Sequence, residues 1–156
     1  MDTPFLTPLG PADLRNLNIP EPWQFGIRDR VRFEELDALN HVNHTAYLRW
    51  FEMMRVEYVR AYGISPYDGT GPELVLKAVD MQYHAPMHLH ESYVVTARTV
   101  SFRRTSFKMA YAVWAPDCRA EGTALIVQLT RGSNDKEPLS DDVRQILIAR
   151  DRAEAL

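Results

Sequence analysis

The sequence predicts an α+β domain in which an antiparallel β-sheet is wrapped around a long central helix. Three observations carry that prediction. A strand-like segment precedes a long stretch of helical period, four strand-like segments then follow in succession, and a short helix lies near the end. Successive strands without intervening helices pair antiparallel, because parallel neighbours need long crossover connections. A doubly wound nucleotide fold would alternate strands with helices and carry a Gly-rich phosphate loop, and neither pattern is present.

Each element has its own signal. Residues 1–23 hold five of the ten prolines, Pro4, Pro8, Pro11, Pro20 and Pro22, and proline's fixed φ and missing N–H oppose helix and central strand alike. They read as a Pro-rich N-terminal arm laid over the domain or across a partner subunit, with disorder as the alternative. Residues 24–156 read as the single domain. From Gln24 to Phe33 the apolar Phe25, Ile27, Val31 and Phe33 alternate with polar residues, the period of a half-buried strand, and Asp29 breaks the pattern. A polar loop, Glu34–Val42, leads to a change of period. Tyr47, Leu48, Phe51, Met54, Tyr58 and Tyr62 follow 3.6-residue spacing, with Asn43 as N-cap and Gly63 as C′ residue of a helix over 44–62. Leu74–Tyr83, Ser92–Phe102, Phe107–Ala115 and Ala120–Arg131 are rich in Val, Thr, Tyr and Phe and are separated by turn signals, with a tight hairpin through Arg103–Ser106. Ser140 caps a last helix that runs to about Arg152.

Composition narrows the function classes. A chain of 156 residues fits one domain, and one of that size buries roughly 70% of its unfolded surface without needing disulfides or metal. The single cysteine, Cys118, excludes an internal disulfide framework and suits a reducing compartment. No apolar run approaches the roughly 18–20 residues that span a bilayer, and the start carries no basic segment followed by an apolar one. A cytoplasmic protein with no membrane partner is expected. Net charge is −3 with acids and bases interspersed, so no basic stripe for nucleic acid exists. Arg103-Arg104 with Lys108 is too small a group for a duplex but adequate for one phosphate-bearing ligand.

The densest chemical signal is the junction Asp37-Ala38-Leu39-Asn40-His41-Val42-Asn43-His44. The first N–H groups of a helix lack internal partners and carry partial positive charge, which suits a carbonyl oxygen becoming an oxyanion. A carboxylate folded back to that point can attack the carbonyl or deprotonate a water. Taken alone, a loop aspartate is more often a turn or capping residue. Asn40 reads as a tolerated left-handed turn residue. The five histidines fall in two groups, His41 with His44 and His84 with His88 and His90, which raises zinc. Their spacing matches no standard structural site and no cysteine is near them in the sequence, so neither metal nor cofactor is expected.

The stretch from Arg32 through Asp37, Asn40, His41-Val42-Asn43-His44 and Tyr47-Leu48 to Phe51-Glu52 resembles the signature of the 4-hydroxybenzoyl-CoA thioesterase family of hotdog proteins. Met81–Pro86 resembles that family's second strand and turn, Phe102–Phe107 its hairpin, and Leu139 onward its C-terminal helix, so the resemblance covers residues 24–150. It implies an acyl-CoA thioesterase with a hotdog fold, assembled as a homodimer or homotetramer with sites between subunits. It implies Asp37 as catalytic nucleophile or general base, the His44 N–H as polariser of the thioester carbonyl, and Asn43 as the cap that shapes the turn. In one bacterial branch the side chain of a histidine at the His44 place is also implicated. Tyr47 would line the pocket, the acyl chain would lie against Phe51, Met54 and Tyr58, and Arg103 and Arg104 would meet the CoA phosphates. The sequence departs from the pattern at Asn40, where the family has Gly, at Thr105, where a basic residue is common, and at His90-Glu91, where Gly-Asp is common. A hydratase would need its His and acid placed differently. A binding module that senses acyl-CoA without cleaving it, and a hydrolase acting on acyl carrier protein thioesters, are the alternatives.

Overall fold

The period change at Asn43 is where the chain turns from strand and loop to helix. In a computed structural model of the protein, which describes residues 3–156, the Asn43 side chain accepts the Thr45 N–H at 2.9 Å. Helix α2 then runs His44–Ala61, and Gly63 follows at φ +70°, the left-handed C′ geometry that glycine adopts without strain. Ala46, Tyr47, Trp50, Phe51, Met54, Tyr58 and Val59 bury one face of α2. They pack on the sheet, with Phe51 stacked on Tyr111 at 4.7 Å and Trp50 on Tyr93 at 4.0 Å. Each such aromatic pair adds about 0.5–1.5 kcal/mol beyond its buried area.

The strands are β1 (Pro8–Leu9), β2 (Phe25–Arg30), β3 (Glu73–Tyr83), β4 (Ser92–Phe102), β5 (Ser106–Trp114), β6 (Cys118–Leu129) and β7 (Glu154–Ala155). They form one sheet in the order β1-β2-β4-β5-β6-β3, antiparallel throughout except that β7 pairs parallel with β4. The expected sheet about a long central helix is thus realised as seven strands with an 18-residue helix against one face. Gly122 of β6 lies under that helix, where a Cβ would collide with the Asp80 carbonyl and crowd Phe51.

Two expectations need correction. The strand ends at Arg30 rather than Phe33, and Phe33 opens a 3-10 turn, Phe33–Glu35, with 78% of its surface exposed. The backbone pairing with β4 stops at Ser92, so the alternation beyond Arg30 has no strand to serve. Asp29, which seemed to break the alternation, keeps its phase: it is buried and held by a two-pronged bond from Arg32 at 2.9 and 3.1 Å. The N-terminal arm, expected as extended chain, contains helix α1 (Pro11–Asn16). Proline is tolerated at the first helical position because that N–H has no helical partner anyway, and Asp13 accepts the Gly10 N–H at 3.1 Å. Met1 and Asp2 of the arm lie outside the described residues. Leu9, Leu14 and Ile19 cover Val94 and Trp114 on the sheet face away from α2. That cover explains why the first half of β4 is buried at consecutive residues instead of alternate ones.

Helix α3 (Asp141–Asp151) starts on a Ser140 cap and ends with Asp151 buried in the core. The Tyr58 and Tyr62 hydroxyls and the Thr99 N–H all donate to its carboxyl group. Burial pushes the Asp151 carboxyl above the usual range, against the lowering effect of those donors. No helix among the described residues is long and apolar enough to cross a membrane.

Candidate active site

The Asp37 loop is closed by its own backbone. Leu36 and Val42 form an antiparallel bridge, the Asp37 N–H donates to the His41 carbonyl at 2.8 Å, and the Asn40 N–H donates to the Asp37 carbonyl at 3.1 Å. Asn40 sits at φ +58°, a left-handed position that asparagine tolerates where glycine would be easiest. The Asp37 side chain takes part: Oδ1 accepts the Leu39 N–H at 2.8 Å and the His41 N–H at 3.3 Å. Its Oδ2 accepts no bond among the described residues. One oxygen therefore orients the carboxylate while the other stays available. Asp37 thus forms the turn with one oxygen and keeps the other without a partner among the described residues.

Two neighbours that the sequence reading missed hold this loop against the helix. Glu35 is buried, its Oε1 accepting the Trp50 indole N–H at 2.8 Å and its Oε2 the Arg32 N–H at 2.9 Å. Its carbonyl accepts the Asn43 N–H at 2.7 Å. Met87 contributes a carbonyl to the Val42 N–H at 2.8 Å. The only hint of Glu35 in the sequence is an acid two residues ahead of Asp37 and a tryptophan in the helix that follows.

At the start of α2 the cap occupies the Thr45 N–H, and the His44 N–H has no acceptor among the described residues. The His44 side chain is exposed. Tyr83, at the end of β3, donates its hydroxyl to the His44 carbonyl at 3.3 Å and packs edge-on to Tyr47 with ring centres 5.2 Å apart. Burial pushes the Tyr47 phenol up to about 12, so it is a neutral donor at ordinary pH. Asp37, Asn43, His44 and Tyr47 are thus gathered at one loop–helix junction. Phe51 and Met54 are not open to it within one chain: they are 2% and 0% exposed, deep in the core.

Arg103 and Arg104 lie elsewhere, in the β4–β5 turn, where the Arg103 N–H donates to the Ser106 carbonyl at 2.8 Å. They line an open cavity of about 420 Å³ with Lys77, Lys108 and Lys136. Lys77 and Lys136 were invisible as partners because they come from β3 and from the loop after β6. Lys77 is the extra residue of a bulge in β3, between the paired Leu76 and Ala78, and bulges re-aim side chains. None of the five cations is in an ion pair among the described residues. Tyr83 is six residues along β3 from Lys77, which is about 20 Å at the usual rise of a strand.

The histidine groups need one correction. Cys118, distant in sequence, lies beside His84 and Glu121, and the three ligand atoms are within 4.8 Å of one another. The strand register of β3 on β6 brings them together.

Known proteins share this architecture. A structure from the thioesterase superfamily of Jannaschia sp. CCS1 is 44% identical, with a TM-score of 0.95 over 99% of both chains. A thioesterase of Thermus thermophilus, solved in complex with coenzyme A and Zn, is 29% identical, with a TM-score of 0.74 over 85% of this chain and 98% of that one. An Aquifex aeolicus (strain VF5) protein named "Putative esterase" is 33% identical over 96 residues, 60% of this chain and 74% of that one. The model of the Thioesterase-like superfamily matches residues 31–147, from the end of β2 through the Asp37 junction and most of α3, and the chain belongs to that superfamily.

Proposed function

We propose that the protein hydrolyses the thioester of an acyl-coenzyme A to the free acid and the CoA thiol. The observation that carries this reading is the Asp37 carboxylate, fixed through Oδ1 with Oδ2 unengaged, in the loop that leads directly into α2 and its unpaired His44 N–H. The thioester oxygen would accept from the His44 N–H, where the helix dipole favours growing negative charge. Asp37 either attacks the carbonyl carbon, giving an anhydride that water opens, or removes a proton from an attacking water. In both cases the C–S bond breaks, the water oxygen ends in the acid, and the sulfur leaves as thiolate. A thiol with a pKa near about 8.5 needs no strong acid to depart.

The five cations around Lys77, in the middle of β3, fit the phosphates of coenzyme A, and the two arginines suit phosphate oxygens with their rigid forks. The complex with coenzyme A reported for the Thermus thermophilus relative supports that ligand class. The edge of the sheet supports a homodimer. β3 is bonded on one side only, by β6, and Val75, Leu76 and Val79 on it are 43–45% exposed. A bare apolar edge of this kind is ordinarily covered by pairing. Antiparallel β3–β3 pairing centred on Asp80 would set Lys77 of one strand beside Tyr83 of the other. Two subunits would then serve the two ends of one ligand. A cytoplasmic setting fits the free thiol of Cys118.

Thiol release from a panel of acyl-CoAs, measured for wild type and Asp37→Asn, tests the reading. Steady turnover by wild type that falls about 10²–10⁴-fold in the variant, with binding retained, is the expected result. Equal rates in both would remove Asp37 from the mechanism. Saturable binding with no turnover on any acyl-CoA or acyl carrier protein thioester would instead make the protein a sensor.

A further inference from the structure

The His84–Cys118–Glu121 cluster lies outside the machinery described so far. Its three residues are placed by backbone ladders rather than by chance contact of long side chains. Gln82 of β3 pairs with Glu121 of β6, and Tyr83 pairs with Ala120. The His84 N–H donates to the Arg119 carbonyl at 2.8 Å, and Cys118 opens β6 opposite Trp114. One carboxylate oxygen, Glu121 Oε2, is the meeting point: His84 Nε2 is 3.2 Å from it and Cys118 Sγ 3.9 Å.

We propose that His84, Cys118 and Glu121 form a binding site for a single zinc-type divalent cation, with water in the fourth position. The distances suit it. Tetrahedral zinc with bonds of about 2.0–2.3 Å to N, O and S separates its ligand atoms by roughly 3.3–3.8 Å. The Nε2–Oε2 pair is already at that spacing at 3.2 Å, and the sulfur, 3.9 Å from Oε2 and within 4.8 Å of the imidazole, would close on both by side-chain rotation. Imidazole, thiolate and carboxylate together select zinc over magnesium or calcium, which take oxygen sets. His84 and Glu121 are exposed and Cys118 is half-buried, so an ion has an entry path and a side open to water.

A surface ion pair accounts for His84 beside Glu121, but not for the Cys118 thiol, which donates to the Ala120 carbonyl at 3.5 Å and lies 3.9 Å from the same carboxylate oxygen. Burial and Glu121 both raise the Cys118 thiol above its ordinary value, so without an ion it stays protonated and is a poor nucleophile. A cation reverses that balance by displacing the proton, so binding releases it and strengthens as pH rises. The ion would clip the end of β3 to the start of β6, beside Tyr83, whose hydroxyl meets the His44 carbonyl. The site does not depend on the thioesterase reading and its test uses no substrate.

The test is titration of metal-free, untagged full-length protein with Co²⁺, followed by displacement with Zn²⁺. One equivalent should give the visible bands of tetrahedral cobalt and a thiolate-to-cobalt charge-transfer band. Cys118→Ser should abolish the charge-transfer band while the metal-free melting temperature stays unchanged. His84→Ala and Glu121→Gln should each weaken binding by more than the roughly 10–100-fold lost when an outer partner is removed. Absence of the charge-transfer band in wild type would overturn the proposal, as would a band or affinity that survives Cys118→Ser.

Discussion

Beside Tyr83, at the end of β3, the chain satisfies itself, whereas around Lys77, in the middle of the strand, it leaves charge waiting. The Asp37 loop is closed by a bridge, by two N–H donors on one carboxylate oxygen and by the buried Glu35 beneath it. Its geometry is set before any ligand arrives, and Asp37 Oδ2 and the His44 N–H have no partner among the described residues. The cavity about 20 Å away along the strand holds five cations and no paired acid among the described residues. Mutual repulsion there is relieved only by solvent or an anion. On the proposed function, the difference separates the two tasks of an enzyme that handles a long charged substrate. Fixed geometry lowers a barrier, because a misplacement of about 1 Å can cost roughly 10²-fold in rate. Unneutralised charge captures and steers, an effect that salt screens within about 10 Å at 0.1 M.

The sharpest way to break this comparison is to separate the two copies of the proposed dimer. A Val75→Lys, Val79→Lys chain should elute as a folded monomer by light scattering and lose essentially all turnover, although both regions remain intact in each chain. A monomer with full activity would show that one chain serves both ends of the ligand. Next in size is Glu35→Ala, which strands the Trp50 N–H and releases the Asp37 loop. It should lower kcat about 10²-fold with KM little changed and cost about 1–3 kcal/mol in denaturant titration. Glu35→Gln, which keeps an acceptor for Trp50, should recover part of both; no recovery would mean that the charge of Glu35 matters beyond its bond. Smallest is the basic cavity. Arg103→Ala and Arg104→Ala should each raise KM roughly 10-fold, the scale of a charge-assisted contact of about 1.5 kcal/mol, leave kcat alone, and flatten the dependence of KM on ionic strength. A change in kcat instead would tie these arginines to the chemistry.

Much of this was legible in local signals. Asn43 and Gly63 bracket α2 because capping and left-handed geometry are decided within a few residues, and Ser140 does the same for α3. The β4 range and the Arg103–Ser106 turn were likewise readable from composition. Asp37, Asn43, His44 and Tyr47 were found together because they are neighbours in the chain. What failed or went unseen was non-local. Phe33 looked like the end of a strand until the β4 partner ran out at Ser92, and Asp29 looked like a fault until Arg32 folded back on it.

The sequence by itself determined the order of the main strands and helices from β2 to α3, their caps, the loop–helix junction and the candidate carboxylate, all properties of short segments with their own turn chemistry and period. Only the tertiary structure decided which distant residues share a place. The β3–β6 register brings Cys118 to His84, the bulge turns Lys77 toward Arg103, Arg104 and Lys136, and the arm folds α1 onto the back of β4. Those meetings depend on strand pairing across tens of residues, where one register slip moves every side chain to the other face, and no local pattern carries that choice.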